Sequence, residues 1–314
     1  MKHKNLIHFL TRQFPDEKTA QAYFVKQRWG NSPSCPYGCS GKVYNVSNKT
    51  QPFKCAVCRK LFSVKTGTIM ENSPISVRTW LLAMWILGNL KKGISSYQLA
   101  DMLGITQKTA WFVCHRIREA CVDSGKLSGA VEMDATFVGG LEKNKHANKK
   151  HRKGGTHGKL PVVGMIERGG RVIAEAVDAE DKTVLFELAE RHIEKGSTIY
   201  TDEHSGYKGL SKRGYSHFCV NHSKGEYVRG HVTTNTIESF FAAFKKAYKG
   251  TYTHLSKKHL QRYLDEFTTR FNFDNFLGQV CQKRASSLSY RLLTHGKKKE
   301  TYTAHQGHDF QPNR

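Results

Sequence analysis

Four cysteines in two close pairs constrain this chain more than any other feature of its sequence. Cys35 and Cys39 form a C-x3-C step and Cys55 and Cys58 a C-x2-C step, with fifteen residues between the pairs. Thiolates delivered two at a time on tight turns are what a tetrahedral zinc ion takes, and two hairpins supply them at little loop-closure entropy. The surrounding residues, 31–72, are rich in Gly, Pro and Ser and carry short alternating runs such as Val43-Tyr44-Asn45-Val46. Hairpins around a structural zinc are therefore expected. Four thiolates leave no open position for catalysis. The remaining cysteines, Cys114, Cys121, Cys219 and Cys281, stand alone in sequence and are expected to be small buried hydrophobes.

Charge bounds the partner. The 314 residues carry 50 basic and 26 acidic side chains, a formal net charge of +24. That balance points to a polyanion, nucleic acid or an anionic membrane surface. The longest apolar run, "WLLAMWILGNL" at 80–90, is too short to span a bilayer, and "MKHKNLIHFLTRQF" lacks the apolar stretch of a secretory leader. A reducing, cytoplasmic setting is expected, which favours metal over disulfide for the cysteine pairs. Double-stranded DNA becomes the expected partner, with no membrane role.

The chain divides by texture. Residues 1–30 have an amphipathic helical pattern ahead of the zinc segment. From 73 to 128 the pattern is helical, with "SVRTWLLAMWILGNLKK", "SSYQLADMLG" and "QKTAWFVCHRIREACV" as three helices. The last two have the form of a helix-turn-helix: Leu99, Ala100 and Leu103 inward, Gly104 at the turn, Ile105 as plug and Thr106 as N-cap. Gln107, Lys108 and Thr109 are then expected exposed at the start of the helix that would enter a major groove. A plain packing bundle is the alternative, and the basic charge and the neighbouring zinc segment favour DNA.

Residues 129–290 change to an α/β texture. "AVEMDATFVGG", "LPVVGMIER" and "GRVIAEAV" have strand patterns, "DKTVLFELAERHI" a helical one, and "STIYTD" a short strand ending in acid. Two helices follow, "TNTIESFFAAFKKAYKG" and "SKKHLQRYLDEFTTRFNF". The tail from 291 to 314 is basic, lacks apolar periodicity and is expected to be disordered. The loop holding Lys149, Lys150 and Arg152, with His146, His151 and His157, is dense enough in lysine to suit a DNA backbone better than a metal, with a solvated, disordered loop as the alternative.

Three carboxylates stand out. Asp134 lies inside a strand, on the face opposite Met133; unless it is merely exposed, an acid there needs a partner or a metal. Asp202 ends a strand, where α/β sheets bind ligands, although such aspartates also form turns. Glu238 opens a basic helix, with Asn235 three residues before it and Lys245 seven after. Asn235 and Glu238 also fit a capping box, which would turn Glu238 toward its own helix start. First strand, fourth strand, later helix: this order of acids matches the ribonuclease H-like nucleotidyl-transferase fold. The expected architecture is thus α/β, a mixed-sheet catalytic domain behind a zinc ribbon and a helix-turn-helix. Three converging carboxylates suit hard Mg2+ or Mn2+ ions.

The stretches "CPYGC…FKCAVCRKLFSVKTGTIM", "EMDATFVGG", "PVVGMIER", "YTDEHSGY" and "HVTTNTIESFFAAFKKAYKGTYTHLSKKHLQRYLDEFTTRFN" extend the likeness across roughly residues 31–273. In this the chain resembles DDE-type insertion-sequence transposases that carry an N-terminal zinc ribbon ahead of an ISXO-like core. The resemblance implies binding of terminal inverted repeats, metal-dependent strand cleavage and strand transfer, and a homodimer or higher oligomer on DNA. It makes Asp134 and Asp202 the first two catalytic acids and Lys245 the basic residue after the third. In this group the third member is often asparagine, so Asn235 and Glu238 both qualify; Glu238 is favoured because a carboxylate binds a hard cation better than an amide. A non-catalytic DNA-binding regulator derived from such a transposase is the alternative.

Overall fold

The protein is described from a computed structural model at residues 11–30, 32–48, 50–121, 125–140, 146, 148, 158–220, 233–252 and 255–277. Lys149, Lys150 and Arg152, His151, His157, His231 and Cys281, and the whole of the 291–314 tail lie outside these residues. Helix α1 (Glu17–Trp29) starts at Asp16, whose carboxylate accepts the Thr19 amide at 2.7 Å, and stops at Gly30. Its C-terminal Trp29 packs edge-on to Phe53 and Phe62, so the helix is part of the wall of the cysteine-bearing sheet. That small antiparallel sheet comprises β1 (Val43–Asn45), β2 (Phe53–Cys55) and β3 (Leu61–Phe62).

Helices α2 (Val77–Asn89), α3 (Ser96–Leu103) and α4 (Gln107–Glu119) follow. Helix α2 is buried along nearly its whole length, with Trp80, Leu81 and Met84 at its centre, and Glu17 of α1 caps its Val77 and Arg78 amides. Between α3 and α4, Gly104 takes the left-handed conformation at φ 63° and Thr106 caps through the Thr109 amide, as the helix-turn-helix pattern predicts. The expected exposure holds only for Lys108. Gln107 is half-buried because its amide nitrogen donates to Ser96 Oγ at 2.9 Å, and Thr109 is half-buried with its hydroxyl 2.8 Å from that of Thr106. Trp111 and Phe112 are exposed one turn further on.

Five strands then build one mixed sheet: β4 (Ala130–Val138), β5 (Leu160–Glu167), β6 (Val172–Ala176), β7 (Thr198–Thr201) and β8 (Ser216–Cys219), in spatial order β6-β5-β4-β7-β8. Strand β5 runs antiparallel to both β4 and β6, while β7 and β8 run parallel to β4. Strand β8 lies in a stretch whose sequence has a loop-like composition. It sits at the sheet edge with little burial, so its residues show no inward-facing apolar alternation. Its Cys219 is exposed, against the expectation of a buried thiol, whereas Cys114 and Cys121 are buried.

The two faces of the sheet carry different helices. Val131, Met133, Val163 and Met165 pack with Leu185, Leu188 and Ala189 of α5 (Lys182–His192). On the other face Val162, Ile166 and Val172 pack with Phe240, Phe244, Leu264 and Phe267 of α6 (Asn235–Ala247) and α7 (Leu260–Leu277). Period-2 alternation in β4 therefore sends Glu132 and Asp134 toward the α6 face, where both faces of the strand are covered. Helix α7 also grips α4: Arg118 Nε donates to Glu266 at 2.5 Å, Arg270 pairs with the same carboxylate, and Thr269 donates to Cys121 O at 2.6 Å. Tyr252 donates to Glu266 at 3.2 Å and packs on Tyr263, which places it in this joint.

Candidate active site

The cysteine quartet is built locally. Gly38, at φ 82°, turns the chain between Cys35 and Cys39, and the β2 turn brings Cys55 and Cys58 to meet them. All four sulfurs lie within 4.8 Å of one another, and Cys35 and Cys58 are 3.8 Å apart. Sulfurs about 2.3 Å from a tetrahedral zinc would be separated by roughly 3.8 Å, so the donor set and spacing fit that ion. The Cys58 and Val57 amides draw the Cys55 thiol down to about 7. Cys39 is pushed up to about 12, first by its hydrogen bond with Cys58. Four crowded thiols cannot all ionise without a cation between them.

The acids lie in electrostatic range of one another near the centre of the large sheet, whereas among the described residues only the cysteines close to metal-holding distances. Asp134 stands in register with Gly164 of β5. A side chain at 164 would strike Ile237 at 2.7 Å and Phe241 at 2.8 Å, so glycine there lets α6 lie directly on the sheet beside Asp134. On the other side β7 is parallel to β4 with Glu132 opposite Tyr200, and continuing that register brings Asp202 beside Asp134. Asp202 accepts the His204 amide at 3.1 Å and Asp134 accepts the Ala135 amide at 2.7 Å. Burial pushes the Asp134 carboxyl up to about 7; the Ala135 hydrogen bond opposes this, and the charges of Asp202, Glu238 and Glu180 add to it. An acid this reluctant to ionise, ringed by other acids, has the electrostatics of a cation site.

Helix α6 brings the third group. Thr234 is its N-cap, Asn235 its first residue, and Glu238 follows one turn later, so Asn235 does not cap and the capping-box reading fails. The amides of Thr236 and Ile237 are taken instead by Glu132 Oε2, at 2.9 and 3.1 Å. Glu238 accepts from the Thr234 hydroxyl at 3.0 Å; both Glu238 and Asn235 are exposed on the same side of the helix. Lys245, two turns on, is half-buried: desolvation lowers its pKa, Asp134 attracts its charge, and Lys159 and Lys249 repel it. Electrostatics thus link Asp134, Asp202, Glu238 and Lys245.

Three further side chains belong to the cluster and were not singled out in the sequence. Glu180, raised by burial, lies 3.5 Å from His204 Nδ1. Tyr207 is fully buried, its hydroxyl lacks a hydrogen-bond partner among the described residues, and burial together with Asp134, Asp202 and Glu180 holds its pKa well above the usual phenol value. Glu132 is the third. Only Glu132 had a signal, its place two residues before Asp134 on the same strand face. Glu180 lies in the connection between β6 and α5, and nothing in its neighbours marks it.

A mixed sheet ordered 3-2-1-4-5 by sequence, with an acid on its central strand, is the ribonuclease H-like arrangement. Residues 126–272 match the ISXO2-like transposase domain, and residues 15–61 match the transposase zinc-ribbon domain. An uncharacterized protein in transposable element ISH50 of Halobacterium salinarum is 30% identical over 275 residues, covering 82% of this chain and 92% of that one. An uncharacterized transposase-like protein of Haemophilus influenzae is 26% identical over 110 residues, 35% of this chain and 88% of that one. The chain belongs to the insertion-sequence transposases with an ISXO2-like domain behind a zinc ribbon. Overlap with the solved Mos1 strand transfer complex is slight, with TM-score 0.30 and 11% identity over 65% of this chain and 74% of that one; the fold follows from the strand order instead.

Proposed function

We propose that this chain is a transposase enzyme that binds the double-stranded ends of its own element and cuts and joins DNA strands there, as a homodimer or higher oligomer. The observation that carries the reading is the electrostatic coupling of Asp134 to Asp202 and Glu238, which arrive from β4, the end of β7 and α6. These carboxylates are the ligands for Mg2+ or Mn2+, with Asn235 one turn before Glu238 as a second contributor. Bound divalent ions would supply charge stabilisation at phosphorus during in-line displacement. Lys245 holds a phosphate oxygen at the rim of the acids. Water attacks in cutting and a DNA 3′-hydroxyl in joining, so one phosphorus–oxygen bond forms as another breaks and no enzyme bond intervenes.

DNA reaches the acids by charge. A net +24 draws in the polyanion, and α4 presents Lys108 with Trp111 and Phe112 at the surface. On the ribbon, Lys60 lies over Tyr37 at 4.6 Å and Lys42 over Tyr44 at 5.3 Å, pairings suited to a nucleic-acid backbone. Among the described residues no helix is long and apolar enough to cross a membrane.

The test is Mg2+-dependent cleavage and strand transfer on a plasmid carrying the ends of the encoding element. Asp134→Ala, Asp202→Ala and Glu238→Ala are expected to abolish cleavage with DNA binding retained, and Asn235→Ala to slow it only partly. Cleavage that survives Glu238→Ala but not Asn235→Ala makes the amide the third ligand. Specific binding without cleavage by the unaltered chain makes the protein a regulator.

A further inference from the structure

Glu132 is a fully buried carboxylate whose contacts reach α6 directly and, through Arg168 after β5, the chain entering α6 and β7. Its Oε2 accepts the Thr236 and Ile237 amides; its Oε1 accepts the Thr236 hydroxyl at 3.1 Å and Arg168 Nε at 3.0 Å. Arg168 in turn donates to Thr233 O at 3.0 Å, just ahead of α6, and lies 4.1 Å over the ring of Tyr200. Tyr200 is the β7 residue in register with Glu132. The spacing is the same on all three elements. Glu132 precedes Asp134 by two residues, Tyr200 precedes Asp202 by two, and Thr236 precedes Glu238 by two.

We infer that Glu132, with Arg168, is a clamp that sets the relative position of the three acids, one step behind each of them. The physical grounds are direct. A helix start leaves its first amides unsatisfied, and here a carboxylate from the strand bearing Asp134 takes two of them, fixing both the axial position and the rotation of α6. The guanidinium neutralises that buried charge and binds the chain entering α6 while stacking on β7. Rotating α6 would break both hydrogen bonds from the Thr236 and Ile237 amides and leave Glu132 buried without them, so the geometry has one favoured setting. Gly164 supplies the close approach that lets this short reach succeed. Glu132 is thus a positioning residue, spent on the protein rather than on a metal.

The inference rests on the proposed metal-binding role of the three acids, so its test has separate readouts. Full-length wild type, Glu132→Gln, Arg168→Gln, the double variant and Asp134→Ala are compared for Mn2+ affinity, by paramagnetic titration without DNA, and for hydrogen exchange at the Thr236 and Ile237 amides. Gln at 132 places an amide donor against Arg168, so exchange should quicken and Mn2+ affinity fall about 10-fold or more, as for loss of groups that orient metal ligands. Cleavage should fall on the order of 10²-fold, as expected when reacting groups shift by about an ångström. Removing the facing donor in the double variant should recover part of both losses. Unchanged exchange in Glu132→Gln overturns the clamp. Faster exchange with wild-type Mn2+ affinity reduces Glu132 to a helix cap and overturns the positioning role. Mn2+ affinity unaffected by Asp134→Ala removes the metal site itself, and the positioning role with it, while exchange still decides whether the clamp exists. If Glu132→Gln fails to fold, Arg168→Gln, whose side chain is partly exposed, supplies the same two readouts.

Discussion

Glu266 and Asp134 are both acids taken largely out of water, and the protein treats them in opposite ways. Glu266 sits between α7 and α4 with two guanidiniums on it, and both arginines are nearly as buried as the acid. Burial alone would raise its pKa, yet Arg118 and Arg270 hold it below the usual carboxylate range. Asp134 has other acids for neighbours and Lys245 as a facing cation among the described residues, and burial pushes it up to about 7. A buried charge that joins two parts of a fold is neutralised from within. One left in deficit beside other acids has the electrostatics that the proposed cation would relieve.

The sharpest challenge to this contrast is Glu266→Ala, which leaves two buried guanidiniums facing each other. It should cost about 3–5 kcal/mol in urea unfolding, and a loss below about 1 kcal/mol would erase the distinction. Asp134→Asn should act the other way, stabilising the metal-free protein at pH 8 by roughly 2 kcal/mol, because it removes a strained anion while keeping an acceptor for the Ala135 amide. The sign follows from linkage. A carboxyl whose folded pKa lies above its unfolded value is most favourable to folding while protonated, so wild-type stability should fall as pH rises from about 4 through 7. The slope should flatten in Asp134→Asn; an unchanged slope would assign it to other groups, such as Asp265, which burial also raises, to about 6. Mg2+ at ten times its dissociation constant should return about 1.4 kcal/mol to wild type and none to Asp134→Asn, read as a shift in thermal midpoint. The smallest effect is expected from Lys245→Met, which should move the Asp134 midpoint, followed by NMR, upward by less than about one unit.

The same contrast separates what could be read from the chain. The zinc quartet lies within a short segment, and tight turns carry its spacing into space almost unchanged. The helix-turn-helix was equally local, with Gly104 and Thr106 marking its turn and cap. Asp134, Asp202 and Glu238 could be singled out as candidates because each sits at a position the strand and helix patterns define. The exposure of Gln107 and Thr109 was not readable, since a contact to Ser96 and a local cap decided it. Strand β8 was missed because an exposed edge strand needs no apolar alternation.

By itself, then, the sequence determined most of the elements, where four cysteines gather at a spacing that fits zinc, and which acids are available in what order. Those properties depend on local periodicity and on ligand chemistry, both of which act over a few residues. Only the tertiary structure decided that Asn235 begins α6 rather than caps it, that Glu132 rather than Glu238 takes the helix amides, and that Glu266 finds two arginines while Asp134 finds acids. Each of these turns on contacts between residues far apart in sequence. The free energy of a buried charge is set by what the fold places against it, and no spacing along the chain records that.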